Sequence, residues 1–489
     1  MSAYNDTLAA IAHAAYAQGR HAEAEAALRL AVGSPATSAH SVYFLGHLCY
    51  LQGRLREAEA YLTMSVELDP NNARARNDLG ETLRAMGRDR EALHHLERAV
   101  ALAPGLAYPY GNLAAALVAL GRPEEALRWA QESLWRADDK AVAHCDLGSI
   151  FGRLGRHKEA MRQYALSLGL QPDNPRAAYF DSLMRLSLGE LPGAWAAHEQ
   201  RLRLPTAMVP RRDFAAPRWS GEAGIQGRTI LLHAEQGLGD TIQFARYAPL
   251  VAELGAAVVI EARRGLGALL ATVPGAARVV EQGDPLPAFD MHCPLMSLPW
   301  VFATSLDTIP GRVPYLTAPP DRAASWAREL GDWRRMRVGL AWSGSPGHAN
   351  DRARSLRLSQ FGDLLARPDI EWHVVQRDIR AEDRDALADA DAIVDHSARL
   401  TDWAETAALV SGMDLVVAVD TAVAHLAGAL GKPAWVLLPY AADWRWMTGR
   451  ADSPWYPSIW LFRQPRRDDW APALAELGRQ LDQWAVPRG

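Results

Sequence analysis

The sequence predicts an all-α repeat solenoid followed by two α/β halves, each built on a parallel sheet. Three observations carry this expectation: residues that recur every 34 positions up to about residue 204, a stretch rich in proline and glycine at 205–227, and, from Arg228 onward, short β-branched strands alternating with helical segments. At 489 residues the chain is too long for one core and divides into about two to four domains.

The repeats come first. Gly-Arg pairs stand at Gly19-Arg20, Gly53-Arg54, Gly87-Arg88, Gly121-Arg122 and Gly155-Arg156, and Gly189-Glu190 continues the series. Ala24, Ala58, Ala92, Ala126, Ala160 and Ala194 keep the same period, as do Leu45, Leu79, Leu113 and Leu147. Pro70, Pro104 and Pro172 close their units, with Asp138 where another proline would stand. A 34-residue period of this kind is the tetratricopeptide signature. Glycine ends one helix, alanine admits the second helix closely, and proline stops the pair. About six units fit in 1–204, and their leucines and alanines are scaffold, since each unit buries its apolar face only against its neighbours. The concave surface, lined by the first helix of each unit, is the expected acceptor groove: Tyr43, His47 and Tyr50, then Asn77, Glu81 and Arg84, and later His144 and Ser149. This mixture of aromatic and polar groups suits a peptide or protein partner.

After the linker, TILLHA reads as a buried strand, DTIQFARYAPLVAEL as a helix and AAVVIEA as the next strand. CPLMSLPWVF is less regular. RMRVGLAWSG, IEWHVVQ, DAIVDHS, MDLVVAVD and PAWVLLP supply a second set of strands, with helices WAETAALVSG and TAVAHLAGALG between them. The expected halves are 228–320 and 321–489.

Two loops stand out chemically. In HAEQGLGDTIQF, Gly237 and Gly239 fill two positions of a dinucleotide fingerprint, but Ile242 occupies the third and Asp240 brings negative charge. In VAVDTAVAHLAGALG, a strand ends at Asp420 and a helix starts at Thr421. Free amides and the positive dipole end at such a helix start bind phosphate, although Asp420 or Thr421 serves equally well as an N-cap. His425, one turn in, offers a donor to a phosphate or a sugar hydroxyl, or packs at a helix-sheet contact.

GLGDTIQF, AWSGS, DTAVAHLAGALGKP and the later DWRW and DSPWYPSIWLFRQ follow one another from about Gly227 to the C-terminus. Together they resemble the heptosyltransferase-like (family 9-like) glycosyltransferases, more closely the bacterial branch fused to tetratricopeptide repeats. The resemblance implies a GT-B fold, two Rossmann-like domains with the nucleotide sugar held mainly by the C-terminal one and the acceptor approaching from the N-terminal one. The order of domains also resembles the protein O-linked N-acetylglucosamine transferases, though these repeats lack a regular asparagine ladder.

The resemblance gives Asp240 the role of general base, which takes the proton of an acceptor hydroxyl as the new bond forms. Capping its own helix is the alternative. Donor-binding residues implied beside it are Gln236, Gly237, Gly239, Ser343, Gly344, Arg354, Ser355, Gln376, Asp420, Thr421, His425, Trp444 and Arg445. Arg354 and Ser355 match the family's basic segment, where Arg352 and Arg357 are further candidates and lysine is the commoner residue; arginine there would neutralise the departing phosphate. Core packing is the competing fate for Trp444 and Trp446.

The implied activity is an inverting, metal-independent transfer from a nucleotide sugar to a hydroxyl, on a protein held by the repeats. Repeat-fused transferases of this type include enzymes that modify flagellin, which makes flagellin a candidate acceptor. Two alternatives stay open: transfer to lipopolysaccharide or another glycan, and an adaptor that binds a nucleotide sugar without turning it over. The Asp389–Asp391 pair, a DxD pattern, stands alone in an acidic, alanine-rich stretch and is read as a solvated helix end, so no metal or other cofactor is expected. A net charge of -5 gives no reason to expect nucleic acid. Cys49, Cys145 and Cys293 lie far apart without a CxxC pair, which fits a reducing compartment. With no signal-like start and no long apolar run, no transmembrane segment is expected and the cytoplasm is the expected location.

Overall fold

The computed structural model describes residues 2–35, 37–205, 212–222, 224–332, 335–348 and 350–484. Of the expected linker 205–227, residues 206–211 and 223 lie outside the described residues. The chain divides into two compact units, 1–174 and 175–489.

The first unit is a helical-repeat solenoid of five antiparallel pairs: Ser2–Ala17 with His21–Val32, Ala39–Leu51 with Leu55–Leu68, Ala73–Ala85 with Asp89–Leu102, Tyr108–Ala119 with Pro123–Arg136, and Lys140–Arg153 with His157–Leu170. The periodic glycines make the turns. Gly19, Gly53, Gly87, Gly121, Gly155 and Gly189 all have φ between 70° and 83°, a left-handed conformation that a side chain resists. The periodic alanines, from Ala24 to Ala194, are fully buried. Where the helices of a pair press close, a Cβ at Gly80 would lie 2.7 Å from Leu96 Cγ, so the second helix seats itself directly on backbone.

The second unit begins with the sixth helix pair, Pro175–Ser187 and Leu191–His198. A four-stranded sheet comes next, made of β1 (Thr229–His233), β2 (Ala257–Ala262), β3 (Ala276–Glu281) and β4 (Met291–Pro294), in the order β3-β2-β1-β4. A six-stranded sheet then combines β5 (Met336–Ala341), β6 (Ile370–Val374), β7 (Ile393–Val394), β8 (Leu415–Val419), β9 (Ala434–Leu438) and β10 (Ile459–Arg463), in the order β10-β9-β8-β5-β6-β7. All neighbouring strands are parallel. Helices must then cover both faces, which is why strands such as LVVAV and AWVLL are apolar throughout and wholly buried. The expected strands are all present, and β3, β4 and β10 are additional.

One continuous core joins the sixth helix pair to both sheets. Leu186, Leu191, Ala194 and Trp195 share it with Ile230 and Leu232 of β1, Leu426 of the helix Ala422–Ala429, and Trp444, Trp446 and Trp455. Trp195 Nε1 donates to Thr304 O at 2.8 Å, and Thr448 N donates to Ser187 O at 2.9 Å. By packing, the sixth pair is part of the α/β unit. Among the described residues no helix is long and apolar enough to cross a membrane.

Candidate active site

In the larger sheet the chain runs outward one way through β5, β6 and β7 and the other way through β8, β9 and β10. The adjoining pair β5 and β8 is therefore a topological switch point, where a crevice opens beyond the strand ends. Asp420 and Thr421 leave β8 there, and Trp342 to Gly344 leave β5.

The helix Ala422–Ala429 starts in that crevice. Thr421 takes the N-cap position, but its side chain makes no capping bond, and its buried hydroxyl has no hydrogen-bond partner. Asp420 does not cap either. It is buried, and burial first, then the nearby Asp443 carboxylate, push its pKa up to about 6 against the opposing pull of Arg354. Of the three candidate arginines, Arg354 reaches this point: its Nη1 donates to Asp420 O at 2.8 Å. It crosses Gly344 so closely that a Cβ there would lie 2.6 Å from its Nη2, which explains the glycine. Arg357 instead pairs with Glu382 at 3.0 Å on the surface, and Arg352 is exposed.

Ser343 and Gln376 depart from their expected roles. Gln376 Oε1 accepts from Trp342 N at 2.8 Å and Ser343 N at 3.1 Å, and its Nε2 donates to Ser343 Oγ at 3.1 Å. They bracket the turn after β5, and the Ser343 amide is already occupied. Ser355 likewise braces the turn, accepting from Gly344 N at 3.0 Å and donating to Asp351 Oδ1 at 2.8 Å. Arg380 completes the brace on Asp351 Oδ2 at 2.6 Å and Gly344 O at 2.9 Å.

The glycine-rich loop of the smaller sheet meets this crevice. A Cβ on Gly239 would lie 2.7 Å from His425 Cδ2, so the loop packs edge-on against the helix Ala422–Ala429. His425 is stacked on Trp446, with ring centroids 5.2 Å apart, and its Nδ1 lies 3.1 Å from the Tyr456 hydroxyl. Burial first, and then Arg445, lower its pKa to about 3, so the ring is neutral. Asp240 sits in the first turn of the helix Leu238–Phe244. Its Oδ2 accepts from Gly237 N at 2.7 Å, so it does cap its own helix. Its Oδ1 pairs with Arg445 Nη2 from beyond β9. Arg445 Nη1 also holds Asp443 Oδ1 at 2.8 Å. Burial raises the Asp443 pKa, but Arg445 outweighs it and the net shift is downward.

Trp444 is a further correction. It lies in the core, edge-on to Trp195 at 5.7 Å and beneath the Arg445 guanidinium at 4.4 Å, so it supports Arg445 instead of offering a face for a base. Gln236 lies beside the Tyr179 hydroxyl. Just before it, Glu235 is anchored by the fully buried Arg201 at 2.8 Å; burial raises its pKa and Arg201 opposes the rise.

On the repeats, Tyr43 and Tyr50 have raised pKa values, from burial first and then from Asp78 and Glu81 respectively. His47 Nδ1 lies 2.8 Å from Asp78 Oδ2, and Arg84 is 3.8 Å from Asp89. Asn77 departs from an open-groove position: it is 2% exposed and accepts from Asn112 Nδ2 at 3.0 Å, tying units together.

Sequence reasoning missed Asp443, Asp351, Arg380, Tyr179 and His348. The last lies in the field of Asp240, Asp443 and Arg354, its pKa lowered by burial first and then by Arg354. The carboxylate two residues before Arg445 was a legible signal; the pairing of Asp351 with Arg380 was not. The Asp389–Asp391 pair is exposed at the end of the helix Ala381–Ala388. Among the described residues no group of three or more His, Cys, Asp or Glu is placed to hold a metal ion.

Comparison with known proteins adds to this geometry. Tetratricopeptide repeat profiles match residues 36–105, 110–134 and 141–174. The profile of glycosyltransferase family 9 (heptosyltransferase) matches residues 386–446, a stretch that contains Asp420, Thr421, His425 and Arg445. Protein FlbA of Caulobacter vibrioides is 27% identical over 333 residues, covering 62% of this chain and 54% of FlbA, so the chain spans about half the length of that relative. Among solved structures, Pseudomonas aeruginosa PilF is 19% identical, covering 41% of this chain and 92% of PilF with a TM-score of 0.36. MamA is 22% identical, covering 32% of this chain and 91% of MamA with a TM-score of 0.29.

Proposed function

We propose that this chain, which carries tetratricopeptide repeats at its N-terminus and a family 9 glycosyltransferase segment in its C-terminal region, is an inverting glycosyltransferase of GT-B type. It moves a sugar from a nucleotide donor to a hydroxyl on a protein acceptor. The carrying observation is the meeting of Asp240 with the uncapped helix start at Thr421, where Arg354 and Arg445 also converge.

In this reading the donor diphosphate lies against the amides at Thr421, with Arg354 alongside. The acceptor oxygen attacks the anomeric carbon from the Asp240 side. The new C–O bond forms as the bond to the phosphate oxygen breaks, the hydroxyl proton passes to the Asp240 carboxylate, and the leaving group departs as an anion met by the helix start and Arg354. A single displacement inverts the anomeric centre. Neutral His425 donates to a sugar hydroxyl or phosphate oxygen and never competes with Asp240 for the proton. The repeats bind the protein acceptor, and the location we propose is the cytoplasm.

The test is a thermal-shift panel of UDP, GDP, ADP, CMP and their common sugars, with and without magnesium and EDTA. A ligand present at about 100 times its Kd adds about 2.7 kcal/mol to stability. We expect one nucleotide to raise Tm equally in EDTA, and Thr421→Val with Arg354→Ala to abolish the rise. No shift from any of them, in folded protein, would remove the transferase reading.

A further inference from the structure

Tyr179 occupies the repeat position held by Tyr43 and Asn77 in earlier units. The next concave positions carry His47 and Tyr50, then Glu81 and Arg84, in those units; in the sixth they carry Leu183 and Leu186. Both leucines pack into the core of the α/β unit. The concave face of the sixth pair is therefore closed by the α/β body below Tyr179, itself a half-buried residue. Its centroid lies 5.4 Å from that of His198, its hydroxyl is beside Gln236, and it lies in the field of Arg201, Arg445 and Asp443.

Resting on the transferase reading, we propose that Tyr179 is an acceptor-contacting, specificity-determining residue, and that the acceptor is an extended polypeptide whose residue flanking the modified serine or threonine lies on the Tyr179 ring. A tyrosine at this place offers a rigid apolar face and a polar tip at small entropic cost. Beside it the Gln236 amide has both a donor and an acceptor, the complement of a peptide group. Gln236 is separated from Asp240 only by the three residues of the glycine-rich turn, so a peptide held on Tyr179 and Gln236 presents its hydroxyl to the base.

The experiment uses the full chain and a fluorescent peptide library of random sequence around one central serine, with and without the nucleotide found by thermal shift. We expect Tyr179→Ala to weaken peptide binding at least about tenfold and to erase the preference for an apolar residue beside the serine. Tyr179→Phe should keep most of the affinity, and both variants should bind nucleotide as the parent does. A photo-crosslinking phenylalanine analogue at position 179 should couple to bound peptide, which covers the case of a poorly folded alanine variant.

Parent-like peptide affinity in Tyr179→Ala would overturn the proposal, as would equal losses of peptide and nucleotide binding, the mark of a structural role. No peptide binding by a parent that does bind nucleotide would overturn it too, leaving the transferase reading in place with a glycan acceptor. Failure of that reading would show separately, as no nucleotide shift while peptide binding still reports on Tyr179.

Discussion

Arg445 reaches from the loop after β9 to pair with Asp240 in the first turn beyond β1, so one guanidinium spans the two α/β halves. Both oxygens of Asp240 are engaged, one by Arg445 and the other by the Gly237 amide. A carboxylate held at both oxygens is fixed in orientation, one edge turned to each half. In the proposed reaction the arriving diphosphate competes for Arg445 and so uncovers that carboxylate oxygen for the acceptor hydroxyl.

If Asp240 takes the acceptor proton, Asp240→Asn will lower kcat by about 10²- to 10⁴-fold, the usual range for a positioned general base. The nucleotide should bind no more weakly than in the parent, and more tightly to the extent that Arg445 is freed for the diphosphate, while the amide oxygen still accepts from the Gly237 amide. Initial rates beside calorimetric Kd values decide this; parent-like turnover would take the role of base away from Asp240.

Arg445→Ala leaves two carboxylates without their cation. Losing one partner of a fully buried pair costs about 3–5 kcal/mol, but the Asp443 and Asp240 side chains are 36% and 18% exposed. We therefore expect about 2–3 kcal/mol in urea unfolding, after discounting that range for solvent screening. Arg445→Ala/Asp240→Asn should recover part of it, since one stranded charge is gone.

Asp420 gives donor binding a pH dependence of predictable sign. With its pKa raised to about 6, Asp420 favours the folded state most below its unfolded value, near 3.9, and that contribution fades as pH rises through about 6. An anionic diphosphate nearby raises the pKa further, so binding above pH 6 takes up a proton and weakens as pH increases. Calorimetry in buffers of different ionisation enthalpy should show this uptake, and Asp420→Asn should lack it. His425, with its pKa near 3, contributes nothing between pH 5 and 8.

Gly239→Ala places a methyl group 2.7 Å from His425 Cδ2. Overpacking of this kind costs about 1–3 kcal/mol. The double variant with His425→Ala should be more stable than the sum of the single changes implies, a coupling that reports direct contact. Strict additivity in chemical denaturation would show that the two residues do not touch.

The repeats were legible because their spacing is enforced by backbone geometry: glycine takes the left-handed turn at Gly53 or Gly87 most readily, and a small residue fits the fully buried positions Ala58 and Ala92. The buried strands were legible for a related reason, since β8 and β9 face helices on both sides and read as unbroken apolar runs. β3 hid its strand pattern behind exposed residues such as Arg278, and β4 has only four residues. At the site, Asp240, Asp420, Thr421, His425 and Arg445 do converge, and so does Arg354. Less legible was the division of labour among polar groups: Gln376, Ser343 and Ser355 satisfy one another, and Trp444 serves as a floor. Such roles depend on partners far away in sequence, as with Asp351 and Arg380, or on which face of a helix is covered, as with Asn77 and Tyr179.

The merging of the sixth helix pair with the α/β body has a consequence for how such a chain can change over generations. Because Leu186, Leu191 and Trp195 are part of the same core as β1, losing that pair would strip buried apolar partners from the α/β unit. Duplication or deletion of whole 34-residue cassettes before Pro175 leaves this core untouched. The array is thus free to lengthen or shorten by unequal recombination while its last pair stays in register with the chemistry.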